Sequence, residues 1–267
     1  MLKGLQVETN PTLEKAAGLP PRGLLRLEYD SPGCSQDRDW ALVYPPAPAG
    51  IGIVVIHGHG STGDQLYTRP DVKHNAGFLR SLGLGIMTPN LRGNAWMAPP
   101  AEQELADLID FAKATYGWRK IILASGSMGG TSNLIFAARR PEMVDAVVAN
   151  SPATDLARYA AWCVEQPLPV CQQIASAIMT AYHHDQALLA CHSACALADR
   201  LTMPVWLRHG DADPIIPVSE SRALAALLAN KANFNYREIP DGGHDAAMPC
   251  FAECVAAAVE ALATSCM

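Results

Sequence analysis

Short apolar and β-branched runs recur along the chain with loops between them. They lie at 24–29 (LLRLEY), 39–44 (DWALVY), 51–56 (IGIVVI), 84–88 (LGIMT), 120–124 (KIILA), 145–149 (DAVVA), 204–208 (PVWLR) and 234–239 (FNYREI). From the third onward the runs are continuous rather than alternating, and stretches of helical period separate them. That is the pattern of parallel strands covered on both faces. The first two runs stand close together and alternate apolar with polar, which predicts an antiparallel hairpin at one edge. Helices are predicted over 71–82, 100–115, 128–140, 219–230 and 248–263. In the second, Leu105, Leu108, Ile109 and Ala112 form one apolar stripe that should face the sheet.

One interval breaks the rhythm. More than fifty residues separate the run ending at 149 from the one starting at 204, where a βα crossover needs far fewer. The segment at about 152–200 is rich in Ala, Cys and His, with EQPLPV as a breaker, and is expected to form two or three helices outside the sheet as a lid. The Pro-rich YPPAPAG (44–50) reads as a loop. The expected fold is α/β, with a mostly parallel eight-stranded sheet, helices on both faces and a small helical lid, all in one domain over 1–267.

Composition narrows the class. A hydrophobic share of 49% with 17% charged residues supports a sizeable core and argues against disorder. The net charge of −6 comes without a run of Lys or Arg, so nucleic acid and anionic membrane are poor partners. The N-terminal stretch lacks the apolar segment of a secretory signal, and a cytoplasmic protein is expected. Homo-oligomerisation is left open. The eight cysteines are scattered through a large chain and read as free thiols. Cys191/Cys195 and Cys250/Cys254 have helical spacing and read as small apolar residues sharing a face. HHD (183–185) followed by CHSAC (191–195) offers metal-ligand types but no ligand-pair spacing, so no metal is expected.

In an open α/β sheet, ligands gather at the carboxyl ends of the strands. The loops there read HGHGSTGD, PNLRGNAW, SGSMGG, HGDADPIIP and DGGHD, and they present Ser, Asp and His in that order. Ser127 lies between a strand and a helix, with Ser125 two before it and Gly129 two after. A nucleophile elbow needs small residues at those positions, because its tight turn leaves no room for side chains. His244 can serve as the base, and Asp213, preferred over Asp211 because PIIP fixes the backbone after it, can orient the imidazole. Oxyanion donors are expected at the backbone N–H of Met128 and, from HGHG, of His59. His57 and Arg92 read as loop braces. Trp96 and Met97 after the fourth run, Trp162 in the lid and Met248 after the base are candidate substrate-binding residues.

With these residues in place, the chain resembles the α/β-hydrolase fold superfamily over about 24–263, through VVIHGHGS, PNLRG, GSMGG, HGDADPIIP and PDGGHD in the family's order. The segment SACALADRLTMPVWLRHGDAD is similar to the one that returns from the lid in the dienelactone-hydrolase-like and prolyl-oligopeptidase-like branches. The resemblance implies Ser127 as nucleophile, Asp213 as acid and His244 as base. Ser125 departs from the usual elbow Gly, and Asn90 from the Asp that many relatives carry before LRG. The expected function is a serine carboxylesterase without cofactor, acting on a small-molecule ester through an acyl-enzyme. The alternatives are an acetyl or feruloyl esterase acting on sugars, a small aminopeptidase-like hydrolase, and a non-catalytic ligand-binding module.

Overall fold

The computed structural model describes residues 2–16, 23–45 and 50–264. Most of the Pro-rich loop expected at 44–50 therefore lies outside the described residues. The strands are β1 (Gln6–Thr9), β2 (Leu25–Asp30), β3 (Arg38–Tyr44), β4 (Ile51–Val54), β5 (Gly85–Pro89), β6 (Lys120–Gly126), β7 (Ala146–Asn150), β8 (Val205–Gly210) and β9 (Phe234–Ile239). They form one sheet in the order β1-β2-β3-β5-β4-β6-β7-β8-β9. Pairing is antiparallel from β1 to β5 through β2 and β3, and parallel from β5 to β9.

The sheet thus has one strand more than the eight that the pattern of apolar runs predicts. The added strand, β1, reads QVET and is exposed throughout, so no buried face imposes an apolar period on it. It covers the edge that the β2–β3 hairpin would otherwise present.

Ten α-helices accompany the sheet among the described residues: α1 (Pro11–Ala16), α2 (Gln65–Thr68), α3 (His74–Ser81), α4 (Pro99–Tyr116), α5 (Met128–Arg139), α6 (Leu156–Val164), α7 (Pro169–Ala181), α8 (Gln186–Cys191), α9 (Ser219–Leu228) and α10 (Phe251–Thr264). The continuous apolar runs are explained by two cores. Val54, Leu123, Val147 and Ala149 face a core built with α4, α5 and the lid helices, while Ile53, Ile122 and Val148 face a second core with α3 and α10. Successive strand residues enter opposite cores, so both parities must be apolar. The stripe Leu105, Leu108, Ile109 and Ala112 packs on the sheet as its spacing predicts. Pro99 and Pro100 open α4, and Gly117, in the left-handed region at φ 68°, ends it.

The long interval after β7 folds as α6, α7, α8 and a 3-10 turn at Ala198–Arg200. Buried Glu220 on α9 fixes its start, accepting hydrogen bonds from the N–H groups of Thr154 and Asp155 and pairing with Arg158 at 2.6 Å. Buried His192, after α8, ties its far end to Tyr182 and to Glu102 of α4 at 2.9 and 3.0 Å. Glu102 also pairs with Arg139 and Arg140. Of the two cysteine pairs, Cys250/Cys254 shares a face packed into the second core, whereas Cys191/Cys195 does not form a buried face, since Cys191 is exposed and Cys195 bonds the Thr154 hydroxyl.

Candidate active site

The carboxyl ends of β4, β6, β7, β8 and β9 converge on one cavity of about 300 Å³. Ser127 stands between β6 and α5 with φ 57° and ψ −130°, a conformation that costs a non-glycine residue on the order of 1–3 kcal/mol. Two neighbours hold it there. The Ser127 N–H donates to Asn150 O at 2.8 Å, and Gly129 lets α5 approach the segment just after β4 so closely that a Cβ would collide with Ile56 O. Ser125, in the place of the usual elbow glycine, is buried, and its hydroxyl accepts the Ile56 N–H at 2.8 Å. The departure is therefore compatible with the turn: a short side chain fits and gives a buried donor its acceptor.

His244 begins a 3-10 turn, His244–Cys250, that runs into α10. Its Nε2 lies 3.0 Å from Ser127 Oγ and its Nδ1 lies 2.7 Å from Asp213 Oδ2. Asp213 is buried, whereas its rival Asp211 is exposed. Asp213 Oδ1 accepts the N–H groups of Ile215 and Ile216 at 2.8 and 3.0 Å, and its Oδ2 also meets His209 Nε2 at 3.2 Å. Burial alone pushes the Asp213 pKa upward. The hydrogen bonds from His209 and His244, the His244 charge and the Ile216 N–H outweigh it and hold the carboxyl well below the usual range. An anion fixed in this way can keep the His244 proton on Nδ1 and leave Nε2 free to accept one from Ser127.

Above Ser127 lies the loop after β4. His57 braces it, its ring within 2.8 Å of Gly58 O and 3.0 Å of Asn90 O. The Gly58 N–H is taken by Gln65 Oε1 at 2.7 Å. Neither the His59 nor the Met128 backbone N–H meets an acceptor among the described residues, so both remain available to an incoming oxygen. The His59 ring accepts the Trp96 Nε1–H on Nδ1 at 3.3 Å, and burial followed by neighbouring His57 lowers its pKa. The ring is thus neutral with its proton on Nε2. Arg92 braces the loops, reaching Glu104, Ser31 and Pro32 O.

The substrate-binding candidates divide. Met248 lines the cavity, but Trp96, Met97 and Trp162 do not. Trp96 and Met97 are corrected to core residues, each 1% exposed. Their apolar bulk gains most from complete burial, and Trp96 packs against Tyr159 at 5.7 Å. Trp162 stacks on the other side chain of that group, Tyr159, at 6.1 Å. The lid's share of the wall comes instead from Val170 and Ile174 of α7. Facing them stand Gln65 of α2, Arg69 just after it and Asn75 of α3. Asn75 is 8% exposed, and its amide meets no hydrogen-bond partner among the described residues.

Four supporting residues escaped the sequence reading. His209 backs Asp213, and Gln65 shapes the loop after β4. Asn150 joins the elbow to the His244 turn through its carbonyl and its Nδ2 bond to Ala247 O, and the Ser151 hydroxyl donates to His244 O at 2.9 Å. Polar residues directly after an apolar strand, as in AVVANS, are the signal that could have found the last two. Among the described residues, no cluster of His, Cys, Asp or Glu is arranged to hold a metal ion. His183 and His184 are exposed, and His192 is engaged by Tyr182 and Glu102.

A family model described as alpha/beta hydrolase fold matches residues 53–164. No match is found among curated protein sequences. Among solved structures, the chain is similar to an S-formylglutathione hydrolase from Staphylococcus aureus, with TM-score 0.66 and 15% identity, covering 89% of this chain and 98% of that one. It is also similar to Est1E from Butyrivibrio proteoclasticus, with TM-score 0.59 and 19% identity over 85% and 94% of the two chains. A third is a 2,6-dihydroxy-pseudo-oxynicotine hydrolase, with TM-score 0.67 and 21% identity over 94% and 69%. At these identities the likeness is one of fold.

Proposed function

We propose, from the premise that this chain is an α/β-hydrolase-fold protein, that it is a serine hydrolase cleaving carboxylic esters through an acyl-enzyme. The observation that carries the reading is the continuous relay Ser127 Oγ to His244 to Asp213, at 3.0 and 2.7 Å. Ser127 Oγ attacks the ester carbonyl carbon while His244 Nε2 takes its proton, and the carbonyl oxygen becomes an oxyanion held by the N–H groups of His59 and Met128. The intermediate collapses, the C–O bond to the alcohol breaks, and His244 returns the proton to the leaving oxygen. Water, deprotonated by His244, then attacks the acyl carbon and releases the acid, restoring Ser127. Asp213 stays ionised throughout and stabilises the imidazolium.

One wall of the cavity is apolar, from Val170, Ile174 and Ile215, and suits an aliphatic or aryl group. The unpartnered Asn75 amide on the other wall favours a second reading, an ester whose other half bears hydroxyl groups, as in acetylated or feruloylated sugars. A site that hydrogen-bonds a substrate hydroxyl discriminates strongly against analogues lacking it. The test is steady-state hydrolysis of p-nitrophenyl esters of graded chain length beside acetylated and feruloylated sugars, with Ser127→Ala as control. Turnover of at least one class, abolished in Ser127→Ala, is expected. Turnover of none, or turnover that survives the substitution, contradicts the reading. Loss of the sugar preference in Asn75→Leu separates the second reading from the first.

A further inference from the structure

We propose that the groove between the β8–β9 edge of the sheet and α10 is a binding site for a small anion, a carboxylate or phosphate group, built around Arg208. The groove shares no lining residue with the catalytic cavity. The parallel register pairs Trp206 with Asn235 and Arg208 with Arg237, so these four lie on one face of the sheet, opposite Glu253 and Ala257 of α10.

Arg208 is 4% exposed, yet it is joined to no carboxylate among the described residues. Its Nη1 donates to Leu207 O and Asn235 O, both at 3.0 Å. Its Nε is buried and meets no acceptor. Glu253, the acid that lines the groove, lies 3.3 Å from Arg237 Nη2 instead. Elsewhere in the chain the carboxylates buried to this degree beside arginines are paired with them, as Glu102 is with Arg139 and Arg140 and Glu220 with Arg158.

A guanidinium always carries its charge, and burying it without a counter-ion is costly. Two neutral carbonyls do not neutralise it. The donors left over, Nε and Nη2, lie on one edge of the guanidinium, the edge that grips two oxygens of a carboxylate or phosphate. Exposed Asn235 and Arg237 stand at the rim, where side-chain rotation opens the way to that edge, and Arg237 supplies a second positive charge. The partly exposed Trp206 ring gives a flat wall beside the anion.

Thermal unfolding of the full chain tests this at constant ionic strength, with sodium phosphate or sodium acetate replacing chloride. Wild type is expected to show a rise in Tm that grows with the logarithm of anion concentration above Kd and reaches about 3–6 °C at about ten times Kd. A response to phosphate alone assigns a tetrahedral phosphate group, and a response to acetate alone a carboxylate. The rise should vanish in Arg208→Met. It should vanish also in Asn235→Asp, an exposed change that supplies a built-in counter-ion and should raise Tm without added anion. The rise should survive prior fluorophosphonate treatment. No response of wild type to either anion overturns the proposal. So does an equal rise in Asn235→Asp and wild type, or a rise lost on fluorophosphonate treatment, which would belong to the catalytic cavity.

Discussion

Replacing Asp213 by Asn should cost about 10⁴ in kcat, and the geometry says why. Asp213 Oδ1 accepts two backbone N–H groups, from Ile215 and Ile216, while Oδ2 faces His244 Nδ1 and His209 Nε2. An asparagine keeps only one of these oxygens. Turned to put its Nδ2 toward the backbone donors, it would leave two buried N–H groups unsatisfied at about 1–3 kcal/mol each. The amide therefore keeps its oxygen on Ile215 and Ile216 and presents Nδ2 to His244. His244 Nδ1 must then accept, and its proton moves to Nε2, the atom 3.0 Å from Ser127 Oγ. A protonated Nε2 cannot take the serine proton. The predicted loss corresponds to about 5.5 kcal/mol in the barrier. Steady-state kcat on a p-nitrophenyl ester measures it, normalised to active sites and checked against Tm. Exposed Asp211, changed to Asn, should leave kcat near the wild-type value. A loss below about tenfold at Asp213, or an equal loss at Asp211, refutes the tautomer argument.

Gly129→Ala drives a Cβ into Ile56 O and should disturb the elbow, lowering Tm and kcat together; an unchanged Tm would show that α5 can shift freely. Ser125→Ala removes the acceptor of the buried Ile56 N–H and should destabilise by about 1–3 kcal/mol. That is a Tm fall of about 2–4 °C per kcal/mol in a chain of this size. Burial alone would raise the Glu102 pKa, but its bonds to His192, Arg140 and Arg139 lower it from 4.5 to about 2. Its stabilisation is therefore complete above about pH 4.5 and lost as pH falls toward 2, a contribution of about 3 kcal/mol. Glu102→Gln should flatten stability against pH in that window, as followed by urea unfolding. Ile174→Ala should widen the cavity and shift the preferred ester length, whereas Trp162→Ala should lower Tm and leave that preference unchanged; a preference shift confined to Trp162 would reverse the roles.

The parallel strands and the residues at their ends were legible because each carries its own local signal. A strand buried on both faces must be apolar at both parities, and a tight turn that lifts a serine must have small neighbours. β1 carries no such signal, since its residues are exposed along its whole antiparallel pairing with β2. Trp96 and Met97 misled for a related reason. A large apolar residue in a loop near a site can face the ligand or the core, and only the position of Tyr159, more than sixty residues later, decides it. His209 acts on Asp213, four residues later in the chain, but nothing in HGDADPIIP alone separates a histidine that faces the carboxylate from one that faces solvent, and the partner of Ser151, His244 O, lies more than ninety residues away. Asp213 is preferred over Asp211 in the sequence because PIIP fixes the backbone after it, and in the structure that backbone brings the Ile215 and Ile216 N–H groups onto the Asp213 carboxylate.

The central claim is that Ser127 is activated by His244 and Asp213. Intact-protein mass spectrometry after treatment with a fluorophosphonate tests it most directly, with peptide mapping of the adduct. One adduct per chain is predicted, on Ser127, formed rapidly in wild type, slowly in His244→Ala and not at all in Ser127→Ala. An adduct on another residue, or labelling at the wild-type rate without His244, would contradict the account.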